Sequence, residues 1–149
     1  MSSDAELEKA IRKLLSSQRL GTLATAAAGQ PYCSLVAFTA SDDLTSILIA
    51  TLRHTAKYRN MLERPLVSLL VDDRCGAEAD FRKGSAVTCI GRAAAVPAGE
   101  LEVARQRHFE RHAGLRQQLD SPDCALVRIE VSRYIMVRGV RRTDELTMP

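Results

Sequence analysis

A short basic segment directly follows an apolar one near the middle of the chain, and its charged and hydroxyl residues are Arg53, His54, Thr55 and Lys57. The apolar, β-branched stretch before it (46–52) predicts a strand, and residues 53–64 predict a helix that ends before Pro65. Thr55 is a favoured residue type for the N-cap of such a helix. The sequence therefore predicts that a strand delivers several cations to a helix N-terminus.

Cations are unfavourable there, because a helix N-terminus already carries a partial positive charge of about half an elementary unit. A bound anion reverses the balance, since free backbone N–H groups, a hydroxyl and an ammonium group can converge on it. We therefore predict a phosphate-binding site at Arg53, Thr55 and Lys57. The alternative is that these cations are simply solvated. His54 is either a phosphate contact or proton donor, or a residue that caps the helix.

Other candidate residues are scattered along the chain. His108 and His112 lie four apart on a helix expected over 97–114, but the HExxH order of helical zinc sites is absent, so we expect a surface pair and no metal. Four nearby arginines are expected to form a solvated face: Arg105, Arg107, Arg111 and Arg116. Because no Ser-His-Asp or Cys-His arrangement follows from spacing, no catalytic residue is assigned.

The cysteines are Cys33, Cys75, Cys89 and Cys124, and no two of them form a CxxC pair. We expect free thiols, with Cys33 and Cys89 in the core and Cys75 in an exposed loop. The acidic N-terminus is not followed by an apolar signal region. Together these features predict a cytoplasmic protein.

Length and composition predict one globular domain over 1–149. The chain is 46% hydrophobic and 26% charged, with a formal charge of +3, which excludes a disordered tail or a disulfide scaffold. Its longest uncharged stretch, 20–41, is broken by Gly29–Pro31 and predicts two strands, not a membrane span. The mild positive charge favours phosphates, but the stacking platform of nucleic-acid-binding barrels is missing, so we expect no nucleic-acid partner.

The hydrophobic pattern predicts an N-terminal helix over 3–17 that begins in a capping box of Ser3 and Glu6. Strands are predicted at 20–26, 31–40, 46–52, 66–71, 85–94, 126–131 and 134–140, with connectors at 72–82 and 115–123. The last two strands would form a hairpin around Ser132-Arg133. So many strands with one crossover helix indicate a mainly β (α+β) barrel, because a doubly wound fold needs a helix after nearly every strand.

Several segments, in this order, resemble the FMN-binding split-barrel family related to pyridoxamine 5′-phosphate oxidase. The resembling segments are RLGTLAT (19–25), GQPYCSLVAF (29–38), TLRHTAKYRNM (51–61), PLVSLLV (65–71), VTCIGRA (87–93) and the final strands up to Gly139. Together they span residues 19–140. The resemblance implies a six-stranded antiparallel split β-barrel with flanking helices, paired as a homodimer with FMN in a groove at the dimer interface.

The resemblance also implies residue roles. The FMN phosphate would be held by hydroxyl and basic groups after the third strand, which here are Thr55, Lys57 and Arg53. The flavin ring would be lined by the second strand and by the end of the third strand, at Ser34, Leu35, Val36, Ala50 and Thr51. The implied function is that of an FMN-dependent oxidoreductase whose small-molecule substrate is unassigned.

Three departures argue against a vitamin substrate. Pyridoxamine-phosphate oxidases carry two adjacent basic residues where this chain has Ala56-Lys57, a Gln where it has Ala86, and an Arg-containing motif at the C-terminus. Some relatives bind haem or the deazaflavin F420, and residues 107–112 are similar to a helix of haem-degrading relatives. The alternatives are therefore a barrel that binds one of those cofactors, or a non-enzymatic flavin-binding module.

The C-terminal arginines Arg138, Arg141 and Arg142 follow the last predicted strand. In the family this end of the chain reaches toward the partner's flavin, where the arginines would neutralise its phosphate. We expect instead that they form a solvated tail.

Overall fold

The computed structural model describes residues 3–149, and within them the chain folds into a barrel with helices packed on its outside. The helices are α1 (Asp4–Ser17), α2 (Ala56–Glu63), α3 (Asp80–Lys83), α4 (Leu101–Arg111) and α5 (Arg116–Leu119). The strands are β1 (Leu20–Ala27), β2 (Gln30–Ala40), β3 (Ser46–Leu52), β4 (Leu66–Asp72), β5 (Ser85–Ala95), β6 (Cys124–Arg138) and β7 (Arg142–Thr147). Single 3₁₀ turns at Ala98–Glu100 and Ala113–Leu115 flank α4.

Six strands close into an antiparallel barrel. Their order is β3-β2-β1-β4-β5-β6, and β3 also pairs with β6, so that the sheet returns to its first strand. The seventh strand, β7, pairs only with β6 and lies outside the closed barrel. The predicted six-stranded split barrel with flanking helices is confirmed.

The barrel is filled by the inward-facing residues of its strands, which alternate with outward-facing ones. Leu23, Phe38, Ile49 and Leu69 are among those with no exposed surface. Helix α1 covers one opening with Leu7, Ile11, Leu14 and Leu15, and it begins in the predicted capping box, because Ser3 Oγ accepts from the Glu6 N–H at 3.3 Å. A second apolar cluster forms outside the barrel, where α4 packs its Ala104 and Phe109 against Leu48 and Ala50 of β3.

The predicted C-terminal hairpin is wrong. Residues 124–138 form one continuous strand, and the polar pair Ser132-Arg133 marks a β-bulge instead of a turn. Gly91 of β5 pairs with Val131 and Ile90 pairs with Arg133, so Ser132 is the extra residue, and its hydroxyl donates to the Ile90 carbonyl at 3.1 Å. Two polar residues in an alternating pattern look the same in sequence whether they form a turn or a bulge.

The expected arginine tail is also wrong. Arg138 ends β6 and donates to the Asp144 carboxylate at 2.8 Å, while Arg142 begins β7 and donates to the same oxygen at 3.1 Å. These bonds hold the pKa of Asp144 below its usual range, and the bond from Arg138 makes the largest contribution. Arg141 lies exposed between the two strands.

Smaller boundary differences occur in three helical regions. Helix α2 begins at Ala56, and α4 covers only part of the span predicted at 97–114, because its last turn ends at His112. Short helices, α3 and α5, overlap the two predicted connectors. In α2, Met61 is buried, whereas Leu62 is 66% exposed.

The histidines of the α4 region are buried, which overturns the predicted surface pair. His108 is fully buried and His112 is 5% exposed. His108 Nδ1 lies 2.9 Å from Thr39 Oγ1, His112 Nε2 donates to the Phe38 carbonyl at 2.7 Å, and the two ring centroids are 4.8 Å apart. The end of β2 therefore supplies the polar partners that a buried imidazole requires.

Burial disfavours the charged form of both imidazoles in the folded protein. Burial lowers the pKa of His108 from 6.5 to about 4, and the charges of His112 and Arg111 add to this effect. Burial also lowers the pKa of His112, opposed in part by its bond to Phe38 and aided by the charges of Arg111 and Arg19. Folding thus favours the unprotonated form of each ring.

We expect mildly acidic solutions to destabilise the fold. Because the pKa of His108 is lower in the folded than in the unfolded chain, unfolding takes up a proton as the pH falls. This contribution is fully present above about pH 6.5 and is lost as the pH falls toward 4. The free energy of unfolding, measured with urea, should decrease by on the order of 3 kcal/mol across that window.

The matched variants are His108→Gln, which should flatten the pH profile, and His54→Gln, at an exposed histidine, which should keep it. Asp43, whose hydrogen bonds with Thr45 and Ser41 lower its pKa to about 2, affects the free energy of unfolding below this pH window. A wild-type profile that stays flat between about pH 7 and 5, or one that His108→Gln leaves unchanged, would show that the buried histidines do not control acid stability.

The bulge explains the glycine at position 91. A Cβ built on Gly91 would overlap the Glu130 carbonyl and approach the Ile129 side chain at 2.9 Å. We expect Gly91→Ala to lower the free energy of unfolding by about 2 kcal/mol, through backbone displacement at the bulge. Gly99→Ala is the control, because a Cβ at Gly99 meets nothing within 4 Å. Equal stability of the two variants in urea denaturation would argue against a close-packed bulge.

Candidate functional site

The junction between β3 and α2 is organised by two threonine hydroxyls. Thr55 is the N-cap of α2, as predicted, and its Oγ1 lies 3.4 Å from the Tyr58 N–H and donates to the Leu52 carbonyl at 2.8 Å. Thr51 Oγ1 lies 3.0 Å from Thr55 Oγ1. The N–H groups of Ala56 and Lys57, at the first two positions of the helix, have no acceptor within it.

Positive charge at this helix end is not neutralised by nearby acid. The first turn of α2 contains no acidic residue, and within residues 3–149 the half-buried Lys57 makes no ion pair within 4.0 Å. Free N–H groups, a hydroxyl and an ammonium group thus share one helix end. This is the arrangement that binds an anion such as a phosphate group.

Arg53 and His54 lie near this end but outside its groove. Arg53 Nη1 donates to the Pro122 carbonyl at 2.6 Å, and the Arg53 N–H donates to the Asp123 carbonyl at 3.0 Å, so this arginine ties the junction to the start of β6. His54 is exposed, and its carbonyl accepts from Arg59 Nη1 at 2.8 Å. Neither side chain lines the groove described next.

A groove of about 280 Å³, which we name the β2–β3 groove, runs along the outside of β2 and β3 and ends at α2. Six predicted site residues line it: Leu35, Val36, Ala50, Thr51, Thr55 and Lys57. The sequence did not predict its other walls, which are Leu20, Ala37, Leu52, Leu115 and Leu119. The spacing of Leu115 and Leu119, four apart in a polar stretch, was a sequence signal for a helical wall.

Ser34 contributes differently from its neighbours. It pairs across the sheet with the fully buried Leu23, so its side chain faces the barrel interior, on the opposite face of β2 from Leu35. Its hydroxyl is buried and has no hydrogen-bond partner. Only the backbone of Ser34 therefore lies on the groove side of the strand.

An apolar surface adjoins the β2–β3 groove. The outward-facing residues of β1, β2 and β4 between positions 20 and 26, 31 and 37, and 66 and 70 include no charged side chain. Thr22 pairs with Leu35 on one side and Leu70 on the other, and Leu35 and Leu66 are 67% and 69% exposed. We name this surface the β1–β2–β4 face, and it shares Leu20 and Leu35 with the groove.

The remaining candidates do not assemble into a reactive centre. The described residues contain no group of three or more His, Cys, Asp or Glu that could hold a metal. Cys89 is buried, and burial raises its pKa to about 12, whereas Cys33 is exposed on the outer face of β2 and corrects the core position predicted for it. Cys75 is exposed as predicted.

Along residues 3–149, helices are too short or too polar to cross a bilayer.

The groove can therefore hold a ligand with two unlike ends. Its walls of Leu, Val and Ala suit a flat apolar ring, and its α2 end suits an oxyanion. Its volume lies just below the range of roughly 300–1,000 Å³ usual for ligand pockets, so the groove encloses such a ligand only in part.

The chain matches a known protein family. The sequence model of the family described as pyridoxamine 5′-phosphate oxidase matches residues 7–138. A search of curated proteins gives no match.

Solved structures with the same fold include proteins described by different cofactors. A haem-binding protein from Mycobacterium smegmatis is 25% identical, with a TM-score of 0.84 over 99% of this chain and 59% of that one. A FAD-binding protein from Mesorhizobium loti is 23% identical, with a TM-score of 0.71 over 91% of this chain and 92% of that one. Campylobacter jejuni ChuZ is 16% identical, with a TM-score of 0.83 over 99% of this chain and 61% of that one. The chain thus spans about three fifths of the M. smegmatis and C. jejuni proteins.

Proposed function

The chain belongs to the pyridoxamine 5′-phosphate oxidase family, and we propose that it is a homodimeric flavoprotein that binds FMN in the β2–β3 groove and acts as an oxidoreductase. The observation that carries the proposal is the α2 end of this groove. There the Thr55 hydroxyl and the Lys57 ammonium group stand at a helix N-terminus whose first turn has no acidic residue. A phosphate monoester supplies the missing negative charge.

The groove also fits the flavin ring. Leu35, Ala37, Ala50 and Leu52 give it apolar walls, and the backbone of β2 before Phe38, which does not pair with β3, offers hydrogen-bonding groups. Arg53 acts indirectly, by fixing the junction against the Pro122 carbonyl, and not as a direct phosphate ligand.

A bound flavin supplies hydride or single-electron transfer, chemistry that side chains cannot provide. Within the described residues, the groove lining contains no histidine, carboxylate or thiol. The chain therefore binds and orients the cofactor and excludes water from one side of it, and Lys57 is the titratable side chain among the described residues of the groove lining.

The β1–β2–β4 face supports the proposed homodimer. A charge-free face that carries leucines more than half exposed is typical of a surface that another protein covers. Because this face shares Leu20 and Leu35 with the groove, a second copy seated on it would cover the part of the cofactor that one protomer leaves open. The shallow groove and the apolar face thus have one common explanation.

Haem is the second candidate, favoured by the 25% identical M. smegmatis protein, which is described as haem-binding. In this chain His108 and His112 are buried and engaged with Thr39 and Phe38, so neither can reach a haem without repacking α4. His54 is then the histidine available as an axial ligand among residues 3–149. A Soret band that His54→Ala abolishes would support haem over flavin.

We expect Lys57→Ala to weaken FMN binding by about 1.5–3 kcal/mol, the usual contribution of a hydrogen bond to a charged group. Riboflavin, which has the same ring and no phosphate, should bind wild type and variant equally. Quenching of flavin fluorescence measures both dissociation constants. Arg64→Ala removes one positive charge from the opposite end of α2 and should leave both constants unchanged.

Three results would count against the flavin proposal. A wild-type protein that binds neither FMN nor riboflavin excludes the cofactor. If Lys57→Ala weakens the binding of FMN and riboflavin equally, the phosphate binds elsewhere. The same conclusion follows if the dissociation constant for FMN is unchanged.

We expect Leu35→Glu and Leu70→Glu to convert the dimer into monomers, because each buries a carboxylate in the proposed interface. Size-exclusion chromatography with light scattering gives the mass directly. Val103→Glu is the matched control, since Val103 is 72% exposed on α4, away from the β1–β2–β4 face. A monomeric wild type, or variants that remain dimeric, would exclude this interface.

A further inference from the structure

A second cavity, of about 630 Å³, lies between α1, α4 and the end of β2. Its polar lining includes Arg12 and Ser16 of α1, Thr39 and Ser41 near the end of β2, and Arg107 and Arg111 of α4. We name it the arginine cavity. It shares no lining residue with the β2–β3 groove.

Its arginines have hydrogen-bond donors to spare. Arg12 is exposed and makes no ion pair within residues 3–149. Arg107 Nη2 contacts the Ala40 carbonyl at 3.2 Å and the Asp42 carboxylate at 3.3 Å, which leaves its other N–H groups available. Because the Asp42 side chain is fully exposed, that ion pair is weak and can yield to a ligand.

Arg111 lacks a counter-anion. Its Nη2 donates to the Leu15 and Gln18 carbonyls, but its buried Nε has no partner, and no carboxylate of the described residues lies within 4.0 Å of it. Burial, together with the charge of Arg19, lowers the pKa of the guanidinium. An anion in the cavity would stabilise the charged guanidinium and so oppose the effects of its burial and of the Arg19 charge.

The floor of the cavity adds a buried polar group. Thr39 is 6% exposed, and its Oγ1 lies 2.9 Å from His108 Nδ1, while His108 Nε2 is buried without a partner. If Nδ1 carries the proton of the neutral ring, it donates to Thr39, and the Thr39 hydroxyl is free to donate into the cavity. Donors then converge from β2 and α4 on the same space.

We propose that the arginine cavity binds a small organic anion through its carboxylate or phosphate group. Three guanidinium groups line the cavity against two carboxylates, Asp42 and Glu110, so the excess charge is positive. Leu15 and Leu44 provide an apolar wall for the rest of the molecule. The volume lies within the usual range of roughly 300–1,000 Å³ for ligand pockets, which is more than an inorganic ion needs.

The test uses the full chain and two probes, citrate and inorganic phosphate, in calorimetric titrations at about 0.15 M salt, where loose surface attraction is screened. Wild type should bind one citrate molecule per chain, and any phosphate binding that the arginine variants leave unchanged belongs to the β2–β3 groove. Arg12→Gln and Arg107→Gln should each weaken binding by about tenfold or more, as expected for the loss of a charge-assisted hydrogen bond. Tighter citrate binding identifies a carboxylate ligand, and tighter phosphate binding identifies a phosphate ester.

Two controls make the outcome decisive. Lys9→Gln removes the same charge from α1 outside the cavity, so it should bind like wild type. Arg12→Gln should also keep the wild-type melting temperature without ligand, because Arg12 is exposed and makes no ion pair with the residues that the structure describes. The proposal is overturned if wild type binds neither probe, if both arginine variants keep wild-type affinity, or if Lys9→Gln loses as much as they do.

Discussion

The pairing of β3 with β6 is the constraint on which the rest of the molecule depends. It closes the barrel along seven residue pairs, from Ser46 with Glu130 to Leu52 with Cys124. β3 is therefore held by β6 along its whole length, up to the residue before Arg53, and by β2 at residues 47–49. Because the strand cannot shift, the bonds from Arg53 to Pro122 and Asp123 continue the same ladder into the loop. The Thr55 cap then fixes where α2 begins.

Closure also decides where ligands can bind. The interior is filled by side chains such as Phe38, Leu69 and Ile129, as is usual for barrels of this size. The β2–β3 groove and the arginine cavity both lie on the outside, where helices stand away from the strands. Helix α4 divides the outer surface of β2 in this way, with Leu35 and Ala37 in the β2–β3 groove and Thr39 in the arginine cavity.

The sequence predicted the features that depend on neighbouring residues, and it missed those that depend on residues far away in the chain. Strand and helix periods, the capping box and the Thr55 cap depend on neighbouring residues, and all were predicted. Thr55 and Lys57 followed from the charge pattern at the helix start, and the other four predicted groove residues followed from a family resemblance placed on those elements. The bulge at Ser132, the burial of His108 and the course of Arg138 depend on partners distant in sequence. Local pattern does not distinguish a polar residue bonded across the fold from one bonded to water.

The buried histidines show why α4 has one position on the barrel. A purely apolar helix face could slide along β3, because Leu and Ala contacts are similar at neighbouring registers. The bonds of His108 to Thr39 and of His112 to the Phe38 carbonyl are made at one register only, and losing them would leave polar atoms buried and unpaired. Each bond joins α4 to β2 between the β2–β3 groove and the arginine cavity. The buried histidines that make the fold sensitive to acid therefore also keep the walls of the β2–β3 groove and the arginine cavity in place.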